Sequence, residues 1–543
     1  MKSNSYIDEL VKKLNISVDL VKSWGQSELS NGKTLSEALT INGFPLWEAI
    51  AVHLGRLDVP NTLWQKKQPS IFNQRVRPHL SCIKQSLLSR ILTRRNFHAC
   101  AKWPQKPTIL FLGFSDYIYR DVLQPIVKQM ANHRNLQVIC LNDSRRFKSK
   151  TLLGKNGEFQ SIWQHWNDDV QESSHALHRS LKMVVTEIER KIDLPRIIQD
   201  QNKPLWPQLR GVFNWLFQVH LPLLIPNAAV AMHIIKKHRP ALIISPDVAD
   251  PRSHIYSLVG HQEGIPTLEV QMGDYNEDAV EWQFFDADRL AVWGRNSYDT
   301  LLGHGVPAER MVITGSARHD KLKPMDNIEK AKIRSQLGVP EGSVFVLFAS
   351  VYGHEGTVVF ENPKYPHVIA EMKKAIFQAA NQMNGMVLVV KPHPLEKVAE
   401  TIKLAEGNRN IKFFDQNTQI SDMIRACDVF MAVVGSTTLS DALYINKLTI
   451  MPAFQGWELS RKFVNSGAVL TPRSPKEVTE CLNEVIDNKS REKILTKLQP
   501  AINRYKQKTY FKVDNQATTR IVDLALEMGG MMEEKGSSVL ELM

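Results

Sequence analysis

Val429-Phe-Met-Ala-Val-Val-Gly-Ser-Thr-Thr-Leu-Ser-Asp441 passes from an unbroken apolar run, through a glycine and a row of hydroxyl residues, into the start of a helix. An apolar run without polar alternation is the mark of a strand covered on both faces, as in a parallel sheet. The same run recurs on either side. VFVLFAS (344–350), MVLVV (386–390), IKFF (411–414), LTIMP (448–452) and AVL (468–470) form one series with helical stretches between them. Upstream, TILFLGF (108–114), LQVICL (136–141), ALIIS (241–245), TLEVQM (267–272), RLAVWG (289–294) and MVITG (311–315) form another. Two complete β/α series need two sheets, so the expected fold class is α/β, with two Rossmann-type domains facing each other across a cleft.

The boundaries follow from these series. An N-terminal helical module and basic linker occupy 1–106, and a first Rossmann-type domain occupies 107–320 with a helical insertion at 150–235. A second Rossmann-type domain covers 321–510, and a C-terminal helix and tail cover 511–543. Thr34-Leu-Ser-Glu37 and Ser474-Pro-Lys-Glu477 match the capping-box pattern, and 307–337 is the expected hinge.

Composition agrees with a multi-domain globular chain: 543 residues exceed what one core organises, and 43% are hydrophobic. Cys82, Cys100, Cys140, Cys427 and Cys481 lie far apart without a CxxC spacing, which argues against a disulfide framework or a thiolate zinc site. The opening MKSNSYIDEL lacks a basic region followed by an apolar core, so a cytoplasmic location is expected. The charge-free stretch 211–235 is broken by Asn214, Gln218, His220, Pro222, Pro226 and Asn227, and reads as a buried or interfacial helix rather than a span.

The net charge is +12, and Arg75, Arg77, Lys84, Arg90, Arg94, Arg95, Lys102 and Lys106 crowd one segment with Leu87, Leu88, Ile91 and Leu92. That pattern suits either a helix lying on the anionic inner leaflet or a solvated linker. No nucleic-acid partner is expected, because no aromatic strand pair or recognition helix accompanies the charge.

Ligands of open parallel sheets bind beyond the carboxyl ends of the strands. After 429–434, Gly435 permits close backbone approach, Ser436 and Thr437 offer hydroxyls, and the helix start offers N–H groups and a positive dipole end to a phosphate. The alternative is that Ser436 simply caps the helix. After 386–390 comes Lys391-Pro-His-Pro-Leu-Glu396, where flanking prolines stiffen the backbone around His393. Its imidazole can donate to a phosphate oxygen or protonate a leaving group, beside the charge of Lys391. Glu396 suits ribose hydroxyls, or alternatively the N-terminus of the next helix.

The first series places carboxylates in the corresponding loops: Asp116, Asp247 and Asp250, then Asp274, Glu277 and Asp278. Any of them can serve as general base or nucleophile. Asp250 precedes Pro251 and reads better as a cap, so Asp247 ranks first, Asp274 and Glu277 next, and Asp116 last. Asp286-Ala-Asp288 matches a metal-binding DxD pair only superficially, since it precedes a strand. No metal and no cofactor is required by this reading.

Thr314-Gly-Ser-Ala-Arg-His-Asp320, Lys391-Pro-His-Pro394 and Gly435-Ser-Thr-Thr438 before Asp441-Ala-Leu, in this order, resemble bacterial surface-carbohydrate glycosyltransferases of the GT-B fold. Capsule Kdo transferases, His-Pro-motif sialyltransferases and CDP-glycerol glycerophosphotransferases are similar over about 240–475. The resemblance implies a nucleotide-sugar donor, CMP- or UDP-linked, and a surface polysaccharide or lipid-linked glycan acceptor. It implies donor contacts from His393, Ser436 and Thr437, with Ser316 and Arg318 of the hinge motif on the donor side. Two positions depart from it: Glu277-Asp-Ala279 stands in place of an acidic motif ending in glycine, and Gln271-Met-Gly273 in place of Gln-His-Gly. A CDP-polyol phosphotransferase, a UDP-sugar epimerase, and an inactive scaffold binding a partner or glycan are the competing expectations.

Overall fold

The computed structural model describes residues 6–56, 106–143, 156–191, 193–246, 250–275, 279–351, 364–393, 396, 398–405, 407–408, 410–415, 420–454 and 461–531. Both long β/α series form sheets in which every pairing is parallel. The first sheet contains β1 (Thr108–Leu112), β2 (Gln137–Asn142), β3 (Gly157–Ser161), β4 (Leu242–Ser245), β5 (Thr267–Val270), β6 (Arg289–Val292) and β7 (Met311–Ile313). Its order is β7-β6-β5-β4-β1-β2-β3. The second sheet contains β8 (Val344–Ala349), β9 (Met386–Lys391), β10 (Ile411–Phe413), β11 (Val429–Ala432) and β12 (Leu448–Ile450), in the order β10-β9-β8-β11-β12. Each order reverses once, between β1 and β4 and between β8 and β11, and such reversals open the crevices where ligands of this architecture sit.

The apolar runs are explained by burial on both faces. In β8, Val344, Val346 and Phe348 join one core while Phe345 and Leu347 join the opposite one. One strand departs from expectation. The segment read as a helical insertion begins with β3, an edge strand in which only Phe159, Gln160 and Ser161 are buried. With its first two residues not buried, a polar pair at its buried end and one edge unpaired, GEFQS has no continuous apolar run. At the other extreme, 468–470 contributes only a bridge from Leu470 to Ile450.

The N-terminal module is part of the first domain's core. Trp24, Trp47, Ile50 and Leu54 pack in one cluster with Leu110, Ile139 and Ile243 of the sheet and with the insertion helices. Trp24 Nε1 donates to the Gln199 carbonyl at 3.1 Å, so even its polar edge is satisfied. Thr34 caps its helix through a reciprocal pair with Glu37.

The helix Trp206–His238 is long and apolar enough to cross a bilayer by length and composition, yet 72% of its most apolar window is buried inside the protein. Pro226 within it lacks the N–H that would reach the Pro222 carbonyl, and His178 Nε2 stands 3.0 Å from that oxygen instead.

The chain also returns. The last described helix, Ala517–Met528, buries Ile521, Val522, Ala525 and Leu526 against Ile109, Phe111, Val138 and Cys140 of the first sheet. Asp320 receives Thr518 N and Oγ1 at 2.7 Å each and Ala517 N at 3.3 Å, tying the hinge motif to the start of this helix. Gly315, at φ +87°, approaches so closely that an added Cβ would stand 2.9 Å from Ala517 Cβ. Gly315→Ala is therefore expected to lower stability by about 1–3 kcal/mol, from strained backbone and crowding together. A urea midpoint equal to wild type would contradict this docking.

Candidate active site

Two loops of the second domain open at the carboxyl edge of its sheet, on either side of β8. The turn after β11 contains Gly435 and Ser436, followed by the helix Thr437–Tyr444. Ser436 occupies the N-cap position, but its side chain makes no capping bond to a backbone N–H of the helix; its Oγ lies 2.8 Å from the Thr438 hydroxyl instead. The capping alternative is thereby set aside, and the helix start is not consumed by its own cap. Thr437 Oγ1 accepts from the Asp274 backbone N–H at 3.3 Å, and an added Cβ at Gly273 would come within 2.9 Å of it. Glycine at 273 is what lets the first domain's loop touch the start of this helix.

The loop after β9 is fixed from below by Glu396. Its Oε1 accepts from Ser350 Oγ at 2.8 Å, Lys373 Nζ at 2.7 Å and Thr401 Oγ1 at 2.5 Å, while Oε2 accepts the His393 backbone N–H at 3.0 Å. Burial alone would raise this carboxyl, but Lys373 and the hydroxyls outweigh it and hold the pKa below the usual range. Glu396 thus positions the loop; with its side chain 3% exposed, it does not reach out to ribose. His393 is pushed down to about 4 by burial, against the opposing pull of Glu396, and is neutral at pH 7. In that form its role toward an anion is to donate an N–H. Lys391 is lowered by burial as well, and its Nζ donates to the Pro392 carbonyl at 3.2 Å.

Two other expected site residues have different tasks. Arg318 places Nη2 2.6 Å from Asp441 Oδ2, Nε 3.0 Å from Asp441 Oδ1, and Nη1 3.1 Å from Asp121 Oδ2. Its guanidinium is committed to carboxylates of both domains and is not presented to a donor. Burial would raise the Asp441 carboxyl, yet Arg318 and His319, whose Nε2 is 3.0 Å from Asp441 Oδ1, bring it down to about 2.

Asp274, ranked among the candidate bases, is likewise bound. Its Oδ2 accepts from Ser440 Oγ at 2.6 Å and Tyr505 Oη at 3.0 Å, and Lys462 Nζ lies 2.7 Å from Oδ1. A carboxylate held by three donors of the facing domain is a clamp, not a free base.

Asp116 is exposed at the end of the loop after β1. Ser316 is buried just beyond β7, and its Oγ makes no hydrogen bond among the described residues. Asp247 and Glu277 lie outside the described residues, as do Asp278 and the basic segment 75–105. Asp250 caps the helix Pro251–Gln262 through Arg252 N at 2.9 Å, as its sequence context predicts. Asp288 accepts Thr267 N at 2.8 Å and Oγ1 at 2.9 Å, so it ties the start of β6 to the start of β5 across the sheet rather than serving a local turn. No group of three His, Cys, Asp or Glu is placed to hold a metal ion among the described residues.

Gln271, noted in the sequence only as part of a departing triplet, has a positioning role. Buried beyond β5, it donates to Gly273 O at 2.7 Å and Ser297 Oγ at 2.8 Å and accepts Trp293 N at 2.7 Å, setting the course of the loop that carries Asp274. Only its place in a Gln-Met-Gly triplet after a strand pointed to it.

Two facing Rossmann-type sheets, a hinge motif between them and a returning C-terminal helix define a GT-B fold. Residues 303–432 match the family of CDP-Glycerol:Poly(glycerophosphate) glycerophosphotransferases. That segment contains the 314–320 and 391–394 motifs and ends just before Gly435. Among curated proteins, no sequence matches the chain. Among solved structures, MnaA of S. aureus in complex with UDP is similar with a TM-score of 0.50 at 15% identity, over 80% of this chain and 100% of that one. The UDP-GlcNAc 2-epimerase of Neisseria meningitidis bound to UDP-GlcNAc gives 0.47 at 13% identity, over 77% and 100%. The wall teichoic acid polymerase TagF gives 0.46 at 12%, over 84% and 98%.

Proposed function

We propose that this protein is a GT-B transferase that moves a sugar from a nucleotide-activated donor to a surface polysaccharide or lipid-linked glycan. One observation carries the reading. The Gly435-Ser-Thr turn with its uncapped helix start, and the Lys391-Pro-His loop stiffened by Glu396, open at the same edge of one parallel sheet beside its point of reversal. Such a pair is suited to a phosphate-bearing ligand, because helix N–H groups, hydroxyls, an ammonium and an imidazole stand along one edge of the sheet. Transfer then requires an acceptor hydroxyl to be aligned with the donor and relieved of its proton. With Asp274 spent on the clamp, that role falls to Asp247, Glu277 or Asp116 of the first domain's loops.

A second reading, transfer of a phosphopolyol from a CDP-linked donor, is favoured by the family match over 303–432. A thermal-shift screen with CMP, CDP, UDP and GDP, followed by product analysis with the matching sugar and glycerol donors, separates the two. Stabilisation by at least one nucleotide is expected, since a ligand of the folded state alone raises its apparent stability. Binding without turnover of any donor would leave an inactive scaffold.

The acceptor and the inner-leaflet location follow the basic segment 75–106. Replacing Arg90, Arg94 and Arg95 by glutamine is expected to release the protein from anionic liposomes, at about 1 kcal/mol per residue, without changing nucleotide affinity. Wild-type protein that ignores such liposomes at low salt would return the segment to a solvated linker.

A further inference from the structure

The helix Asn488–Thr509 carries charge that nothing within the protein uses. Residues 488–512 hold eight lysines and arginines against one carboxylate, +7 in a chain whose net charge is +12. The inner side of the helix is accounted for: Ala501, Ile502, Tyr505 and Thr509 are buried, and Ile494, Leu495 and Leu498 pack against the cores of the second domain. Its far end is held by the first domain, where Asn296 Nδ2 donates to Thr509 Oγ1 at 3.0 Å and the Phe511 N–H to the Trp293 carbonyl at 2.9 Å. The surface is therefore fixed to both domains.

The outer side is a cationic stripe. Lys489, Lys493, Lys497, Arg504 and Lys508 are all exposed. At about 100° per residue they fall within about 100° of one another, along about 28 Å of helix. None of the five makes an ion pair or a side-chain hydrogen bond among the described residues, and Glu492 accepts from Asn488 Nδ2 at 3.0 Å instead. The other two cations of this helix are engaged, Arg491 with the Val485 carbonyl at 2.8 Å and Lys506 with Asn446 Oδ1 at 3.3 Å. Like charges four residues apart destabilise a helix, and Lys489, in its first turn, opposes the helix dipole. The pattern costs the fold stability, and an anionic surface outside the chain offsets that cost.

Where the stripe ends, apolar side chains come to the surface. Phe511 is 43% and Val513 48% exposed, on either side of Lys512 in the chain. Lys512 and Arg520 stand over the Phe511 ring at 5.0 and 5.4 Å. Cations beside exposed apolar side chains are the composition of a surface that rests on a charged bilayer, the cations at the phosphate groups and the apolar groups at the headgroup boundary. We propose that the outer face of Asn488–Thr509, continued by 511–513, docks the protein on a bilayer of anionic phospholipids. A soluble polyanion or an acidic protein would use the stripe and leave the exposure of Phe511 and Val513 unexplained. This surface is distinct from the segment 75–106, and the inference does not depend on which nucleotide or donor the cleft takes.

The test is co-sedimentation of the full chain at low salt with vesicles of phosphatidylcholine alone and of equal parts phosphatidylglycerol and phosphatidylcholine. Wild type is expected on the anionic vesicles and not on the neutral ones. Lys493→Gln, Lys497→Gln and Arg504→Gln combined should weaken that partition about a hundredfold, with 75–106 left intact. Lys182→Gln, Lys332→Gln and Lys374→Gln combined remove the same charge from exposed positions elsewhere and should weaken it less than about threefold. Phe511→Ser with Val513→Ser should weaken it about tenfold. All of these positions are exposed, so each variant should melt at the wild-type temperature. Wild type that binds both kinds of vesicle equally or neither, or a stripe variant no weaker than the control, overturns the proposal. Binding that needs the stripe but is untouched by the Phe511 and Val513 changes marks a soluble polyanion or an acidic protein as the partner and overturns the bilayer assignment.

Discussion

Replacing Asp441 by alanine is expected to cost about 3–5 kcal/mol of folding stability, enough to remove much of a typical protein's margin. The carboxylate is 1% exposed and lies between Arg318, itself 13% exposed, and His319. Removing it leaves the arginine buried with only Asp121 at 3.1 Å, so the penalty is that of an uncompensated charge rather than of one lost contact. Asp441→Asn should recover part of the packing but not the charge. Urea denaturation reads the difference, and an Asp441→Ala midpoint close to wild type would show that this clamp does not hold the domains together.

Acid is expected to be the second large perturbation. His53 is pushed down to about 3 chiefly by burial, with the charges of His220, Arg56 and His254 adding to it. His165 falls to about 3 for the same reason, helped by His238, His233 and Lys237, and His220 falls to about 4 by burial. Each is neutral in the folded protein and titrates near 6.5 once unfolded, so the unfolded chain binds more protons as pH falls. The stability they contribute is present above about pH 6.5 and is lost as pH drops toward their folded values. His53 and His165 alone account for a loss on the order of 5 kcal/mol between pH 6 and pH 4. Both lie where the N-terminal module and the insertion helices meet the first domain, so that region should loosen first. Equal urea midpoints at pH 7 and pH 5 would contradict this.

Much of the fold is legible because the parallel strands are covered on both faces, which forces continuous runs such as 344–350 and 429–434. The edge strand β3 escapes for the converse reason, having too little buried surface to require one. Caps are local chemistry and are found where the pattern puts them: Thr34 and Glu37 form the reciprocal box, and Ser474 caps its helix while Glu477 reaches back to the Arg473 N–H, one residue short of a box. Within the candidate site, Gly435, Ser436, Thr437 and His393 are legible as residues that follow strands.

What sequence order withholds is which polar groups are already paired. Arg318 and Asp441 are far apart in the chain and belong to different motifs, yet they bind one another. Asp274 has the type and loop position of a base, but Lys462, Ser440 and Tyr505, which claim it, come from three later segments. Glu396 is a similar case, since its partners Ser350, Lys373 and Thr401 converge only once β8 and β9 lie side by side.

Calorimetric titration of wild type and His393→Ala with UDP and CDP asks whether the loops after β9 and β11 bind the phosphates of a nucleotide donor. His393 lies in a loop, half-buried, so its removal should leave the fold intact. Wild type is expected to bind at least one of the two nucleotides, and the variant to bind it more weakly by about 1.5–3 kcal/mol, the value of a hydrogen bond to a charged group. Equal affinity of the two proteins, or no binding of either nucleotide by wild type, would contradict the assignment of this edge of the second domain as the donor site.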